Sequence, residues 1–183
     1  MEKTSFSFSV SISNVTTNDK NTVISSSLST LPVIINKAAY CNLKSGIPSN
    51  SQLISNRAGW IINVEEGVEG APNNLIDGKT GTDVALNNKG FWFTVDLGEA
   101  KVLTGIKTNH WANAYAPREV EILQSENGTT WKSLSSLAIS GGTQNITFIS
   151  PITTRYLKYQ IITISTNGRT DVTEFNVYEP KNE

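Results

Sequence analysis

From Leu53 onward the sequence is a succession of short segments rich in β-branched and aromatic residues, separated by turns that contain glycine or asparagine. Segments of this length and composition are typical of β-strands, and no amphipathic helical stretch of ten residues lies among them. Short strands must pack face to face to bury their apolar sides, so the pattern predicts an all-β sandwich or barrel. The predicted strands are 58–64, 91–97, 102–109, 118–124, 130–137, 144–149, 155–164 and 172–178.

Charge and residue counts exclude several classes of protein. The chain has 15 Lys and Arg against 16 Asp and Glu, and this lack of basic excess argues against a nucleic-acid partner. No run of about 18 apolar residues is present, so membrane insertion is not expected. The single cysteine, Cys41, and the single histidine, His110, exclude a disulfide framework and a zinc centre built from Cys or from several His residues.

The first 52 residues differ from the rest in texture. Phe6, Phe8, Val10 and Ile12 alternate with serines, and residues 22–35 form a second strand-like stretch. Two interpretations are open: the pair is the tail of a preceding β domain, which we favour, or it adds strands to the main sandwich. The expected organisation is a strand pair over 1–40, a linker over 41–52 and a sandwich over 53–180.

Five motifs of the second part occur in the order and spacing of one known family. Taken together they resemble the coagulation factor 5/8 type C, or discoidin, domain. The motifs are Asn-Leu-Ile-Asp-Gly at 74–78, Phe-Trp-Phe-Thr-Val-Asp-Leu-Gly at 91–98, the strand, turn and tryptophan unit at 117–131, Arg-Tyr-Leu-Lys at 155–158 and Thr-Glu-Phe-Asn-Val-Tyr at 173–178.

This resemblance implies a jelly-roll β-sandwich of the galactose-binding-like type. By texture the sequence is similar to family 32 carbohydrate-binding modules, which accompany secreted bacterial glycosidases, including chitobiase-like enzymes of Bacteroidetes, and surface glycan-binding proteins. The implied function is noncatalytic binding of a glycan or glycoconjugate. The implied context is a monomeric module joined to other domains of an exported, periplasmic or cell-surface protein. Residues 1–10 do not read as a signal peptide, so a leader would precede this fragment.

The resemblance also implies a structural Ca²⁺ site, because Asp77, Thr82 and Glu174 match the family's calcium positions by residue type. Oxygen ligands of this kind suit Ca²⁺. However, the family's usual Asp or Asn after the glycine is Lys79 here, and a cation in that place could form a salt bridge instead of a metal site. A third interpretation is that Asp77 only caps an Asx turn.

A sugar site is expected in the loops at one end of the sandwich. An aromatic face stacks on the C–H patch of a pyranose, while polar side chains bind its hydroxyl groups. The alternative is that Trp111 and Tyr115 fold back onto the sandwich. The chain lacks the family's Trp-His pair after Thr82, so the resemblance indicates where a site lies and not that its ligand is galactose. The candidate ligand-binding residues are His110, Trp111, Asn113, Tyr115, Asn87, Asn88, Glu65 and Arg169.

Three other functional interpretations are weighed against sugar binding. A protein-interaction or adhesion module and a structural spacer both remain open. An enzyme is not expected, because no nucleophile and base are placed together, and the acidic residues Glu65, Glu66 and Glu69 read as solvated loop charge. Trp60, Trp92 and Trp131 are predicted to pack in the core.

Overall fold

The computed structural model describes residues 42–181, which lie within one compact unit. These residues form ten strands and one short 3₁₀ turn. The strands are β1 (Leu43–Ser45), β2 (Ser51–Leu53), β3 (Ile61–Val64), β4 (Val84–Asn87), β5 (Trp92–Asn109), β6 (Glu119–Ser125), β7 (Lys132–Ala138), β8 (Thr143–Thr163), β9 (Arg169–Val172) and β10 (Glu174–Pro180), and the 3₁₀ turn is Pro72–Leu75. Over this part of the chain no helix is long and apolar enough to cross a membrane.

Two long strands, β5 and β8, pair with each other along most of their length and contribute to both layers of a β-sandwich. The first half of β5 lies between β3 and the second half of β8, which continues to β6 and β7. The second half of β5 pairs with β10, and β10 pairs with β2, while the first half of β8 pairs with β1. The predicted all-β sandwich is confirmed.

The change of layer occurs where the register between β5 and β8 shifts, between the pairs at Asp96 and Lys101. Gly98 lies in this shift with φ +82°, a conformation that favours glycine, and its N–H donates to Asp96 Oδ1 at 2.8 Å. Four predicted strands therefore form two continuous ones: 91–97 with 102–109, and 144–149 with 155–164.

Three aromatic rings hold the two layers together. Phe93 and Tyr159 stack in one layer with ring centroids 5.1 Å apart, and Phe175 of the other layer meets both rings edge-on. All three side chains are buried. Burial raises the pKa of the Tyr159 phenol, so this group remains neutral in the core.

The tryptophans do not all occupy the core. Trp60 is buried as predicted. The prediction is wrong for Trp92, which is half-buried on the outer face of β5 with the Lys158 ammonium 4.7 Å from its ring centroid, a cation–π contact. Trp131 is also only half-buried. The segment 91–97 alternates between buried and half-buried residues, so one of its faces is more exposed than the other.

The predicted linker is part of the sandwich. Leu43 is buried opposite Phe148 in the pairing of β1 with β8, and β2 pairs with β10. The polar character of 42–52 misled the prediction, because edge strands expose most of their side chains to water. The strand pair predicted for 1–40, with Phe6, Phe8, Val10 and Ile12, and residue 41 lie outside the described residues.

Candidate functional site

A two-stranded ribbon of β4 and β9 supports the polar residues at one end of the sandwich. Its register places Asn87 opposite Arg169. The ribbon is closed beyond this pair, where the N–H of Asn88 donates to the carbonyl of Gly168 at 2.6 Å. Both residues have positive φ, 55° for Asn88 and 83° for Gly168, which asparagine and glycine tolerate best. Asn88 and Gly168 thus end the ribbon and place Asn87 and Arg169 opposite each other at its tip.

Arg169 joins two acidic side chains from different loops. Its Nη1 lies 3.3 Å from Glu69 Oε2 and its Nη2 lies 3.0 Å from Asp83 Oδ2. The other Glu69 oxygen accepts a hydrogen bond of 3.2 Å from the Asn87 amide. These four residues, Glu69, Asp83, Asn87 and Arg169, form a partly exposed surface that we name the Arg169 patch. It presents both hydrogen-bond donors and acceptors to water.

Asp83 is the least exposed acid of the Arg169 patch, and its environment disfavours its charge. Burial raises the pKa of the Asp83 carboxyl, and the nearby carboxylates of Asp171 and Glu69 raise it further, while Arg169 lowers it. The net direction is upward. Arg169 therefore compensates the negative charge of several carboxylates at once, and the surface is acidic as a whole.

Trp111 is the exposed aromatic residue at this end, with 61% of its surface accessible. Its backbone N–H donates to Asp171 Oδ1 at 3.2 Å, which ties the loop between β5 and β6 to β9. Residues two apart on a strand share a face and lie about 7 Å apart, so Asp171 and Arg169 project to the same side of β9. The backbone of Trp111 is thus bound to the strand that carries Arg169.

The expected sugar-binding role of His110 is wrong for this structure, because its side chain is fully buried. Nδ1 lies 2.6 Å from the carbonyl oxygen of Asp171, and since a carbonyl only accepts, Nδ1 carries the proton. Nε2 lies 3.1 Å from both Gln144 Oε1 and Thr108 Oγ1. His110 therefore anchors the loop from inside and presents Trp111, the next residue, to the surface.

Asn113 and Tyr115 shape the same loop. The side-chain oxygen of Asn113 accepts a hydrogen bond of 2.5 Å from the N–H of Gly142, which fixes the loop to the turn between β7 and β8. The carbonyl of Tyr115 accepts a hydrogen bond of 3.2 Å from Asp171 N–H, and its side chain is half-buried. These contacts give both residues a supporting role beside Trp111.

Glu65 also has a structural role. One carboxylate oxygen accepts a hydrogen bond of 2.7 Å from the Lys89 ammonium, and the other accepts one of 3.2 Å from the N–H of Trp92. Glu65 therefore links its own loop to the loop that contains Asn88.

Two members of the Arg169 patch were not among the predicted site residues. Glu69 was interpreted as solvated loop charge, and Asp83 was not singled out. The signal that could have found them is the pairing of β4 with β9, but each strand has only four residues, and β4 was not predicted as a strand. Without that pairing, nothing in the sequence brings Asp83 next to Arg169.

The residues expected to hold calcium are joined by hydrogen bonds within the protein. Asp77 Oδ1 accepts from Lys79 N–H and Oδ2 from the Thr82 hydroxyl, both at 2.8 Å. Glu174 accepts from the N–H of Gly78 at 2.5 Å and from Arg57 at 3.0 Å. Among residues 42–181 no group of three or more His, Cys, Asp or Glu side chains could hold a metal ion. The geometry is that of an Asx turn at Asp77, and the next residue, Gly78, is bound to Glu174, which is paired with Arg57.

Fold and site together define a class of protein: a β-sandwich module that offers a shallow surface, one exposed aromatic ring and a polar patch at the end of its strands. The family model of the F5/8 type C domain matches residues 55–175, and the chain belongs to this family. The domain is noncatalytic, as predicted.

Solved structures share this fold at low sequence identity. An F5/8 type C domain from Bacteroides fragilis is 19% identical and aligns with a TM-score of 0.62 over 74% of this chain and 100% of that one. A family 32 module of NanJ from Clostridium perfringens, solved with galactose, is 22% identical with a TM-score of 0.59 over 70% and 99%.

A second module from Clostridium perfringens, solved with GalNAc-β-1,3-galactose, is 18% identical with a TM-score of 0.60 over 69% of this chain and 99% of that one. The comparison with curated proteins finds no match.

Proposed function

We propose that residues 42–181 form a carbohydrate-binding module that recognises a terminal galactose- or hexosamine-type sugar at the surface made by Trp111 and the Arg169 patch. The observation that carries the proposal is the 61% exposure of Trp111, whose backbone N–H is bound to Asp171 on the same strand as Arg169. A large aromatic side chain left this exposed gains little in the free protein, and its face suits the C–H surface of a pyranose ring.

The polar groups suit the hydroxyl groups of the same sugar. Arg169 and Asn87 supply N–H donors, while Glu69 and Asp83 supply acceptors, and each group is already aligned by its neighbours. Preorganised partners of this kind lose little side-chain entropy when a ligand binds. The family 32 structures solved with galactose and with GalNAc-β-1,3-galactose support the ligand class.

A shallow site of this size implies weak binding of a single sugar, with a Kd of about 0.1–1 mM, or about −4 to −5.5 kcal/mol. Tethering raises the effective concentration of such a module at its target. We therefore propose that the module is monomeric and joined to other domains of an exported bacterial protein that acts at a glycan surface.

A glycan array followed by titration calorimetry tests the proposal. We expect a galactose- or hexosamine-terminated glycan to bind, and Trp111→Ala to weaken its affinity at least tenfold because the stacking face is lost. Ile149→Ala is the matched control, since Ile149 is 57% exposed but lies well along β8, away from the loop of Trp111. It should bind like the wild type.

Two outcomes contradict parts of the proposal. Binding that survives Trp111→Ala and Arg169→Ala places the sugar elsewhere on the module. No glycan bound by protein of unchanged thermal stability indicates a protein-interaction module or a structural spacer.

A further inference from the structure

Arg57 is paired with Glu174, the carboxylate that binds the loop of Asp77. Its Nη1 lies 3.0 Å from Glu174 Oε2, and the two side chains are only 20% and 5% exposed. The same Glu174 oxygen lies 3.4 Å from the Asn176 amide. An almost buried carboxylate requires a counter-charge and hydrogen-bond donors, and Arg57 supplies the charge.

Glu174 also binds the loop of Asp77. Its other oxygen, Oε1, accepts a hydrogen bond from the N–H of Gly78, the residue after Asp77. Asp77 in turn accepts from Lys79 N–H and the Thr82 hydroxyl, so the loop 77–82 is closed on itself and attached to β10 through Glu174. Every carboxylate oxygen of Asp77 and Glu174 therefore has a donor from the protein.

A divalent cation is excluded by this arrangement on electrostatic grounds. Ca²⁺ needs six to eight oxygen ligands at 2.3–2.6 Å. To bind Glu174 Oε2 it would lie within a few ångströms of the Arg57 guanidinium, where like charges repel strongly at low exposure. It would also have to displace the N–H groups that now donate to the carboxylates.

We propose that Arg57 is the counter-ion of Glu174 and takes the structural role of a calcium ion. The loop 77–82 and the Arg169 patch that follows it are therefore independent of calcium. The loop continues directly into Asp83 and β4, which carry part of the Arg169 patch. The proposal concerns the loop itself and holds whether or not the patch binds a sugar.

Thermal unfolding of the full chain in EDTA and in millimolar CaCl₂ is the first test. A ligand that binds only the folded state raises the Tm, so a structural calcium ion would raise it by more than about 3 °C. We expect the two Tm values to agree within about 1 °C. A calcium-dependent rise overturns the proposal, and this comparison needs no variant.

Arg57→Met provides the second test. It leaves Glu174 buried without its counter-charge, and we expect the Tm to fall by about 5 °C or more. Adding Glu174→Gln to Arg57→Met should recover part of that loss, because the buried charge is then removed as well. An unchanged Tm in Arg57→Met overturns the proposal.

A matched control and a milder variant complete the design. Lys101→Met removes a cation of similar size from Glu99, which is 74% exposed, so its Tm should hardly change. If Arg57→Met does not fold, Arg57→Lys keeps the charge and should retain most of the stability. A loss in Arg57→Lys of about 5 °C or more, as large as the loss expected when the charge is removed, would contradict a specific role for the Arg57 charge.

Discussion

Asp96 and Arg155 show how one ion pair couples the domain to pH. Asp96 accepts two hydrogen bonds of 2.8 Å from Arg155 Nε and Nη2, across the pairing of β5 with β8. The hydrogen bonds from Arg155 hold the pKa of Asp96 below its ordinary value of 3.8, against the effect of burial, and the N–H of Gly98 adds to the lowering. A carboxyl with a lowered folded-state pKa stabilises the protein above its unfolded pKa, and this contribution is lost as pH falls through the folded value.

We therefore predict that Asp96→Asn lowers the urea midpoint at pH 7 and flattens its dependence on pH below about pH 4. The measurement is urea unfolding of both proteins across that range. Glu99→Gln, which removes a well-exposed carboxylate from the same strand, is the control and should follow the wild type closely. A variant that loses stability as steeply as the wild type in acid would contradict the role of this pair.

For the candidate site, the sequence predicted the loop that carries Trp111 but not the direction in which each side chain points. The loop of Trp111 was located from its composition, and Trp111 is exposed as a sugar-binding residue requires. His110, its neighbour, has the same polar character in the sequence but is buried, because its partners Gln144 and Asp171 come from distant strands. A side chain's direction depends on such long-range partners, which a single sequence does not identify.

Gly105 of β5 lies where this strand closely approaches β8 and the segment between β1 and β2. A Cβ atom at this position would lie 2.4 Å from the carbonyl oxygen of Ile146 on β8 and 2.7 Å from Cγ of Pro48. We predict that Gly105→Ala destabilises the domain by about 1–3 kcal/mol, because the backbone of β8 and the segment between β1 and β2 must move.

Urea unfolding measures this effect, and Gly81→Ala is the matched control. A Cβ atom at Gly81 meets nothing within 4 Å, so that substitution should be close to neutral. Equal stability of the two variants would show that β8 and Pro48 yield easily. The same contact explains why residues 42–52 are not a linker: Pro48 is buried against β5, although the sequence around it is polar.

Strand existence was predictable at the element scale, whereas strand continuity and pairing were not. Alternating and β-branched segments located β6 and β7 within two residues. The predicted strands 91–97 and 102–109 left a gap in β5, but a register shift lets the strand continue there. The ribbon of β4 and β9 was missed because four residues carry too little periodicity.

At the scale of the whole molecule, the two layers meet through the aromatic cluster of Phe93, Tyr159 and Phe175. Phe175 is the member that β10 contributes, and β10 also carries Glu174, which holds the loop 77–82. Packing between the layers therefore positions the supports of the candidate site as well as the core. A loss of packing here should affect global stability first.

Phe175→Leu tests this arrangement. The substitution keeps an apolar side chain but removes the edge-on contacts with both other rings, which lie 5.1 Å and 6.2 Å away between centroids. We expect a loss of about 1–3 kcal/mol in the free energy of unfolding, measured with urea and followed by tryptophan fluorescence. Ile61→Ala is the control, since Ile61 is 58% exposed on β3 and contributes little to the core. If Phe175→Leu unfolds at the urea concentration of the wild type, the layers are held by aliphatic contacts alone.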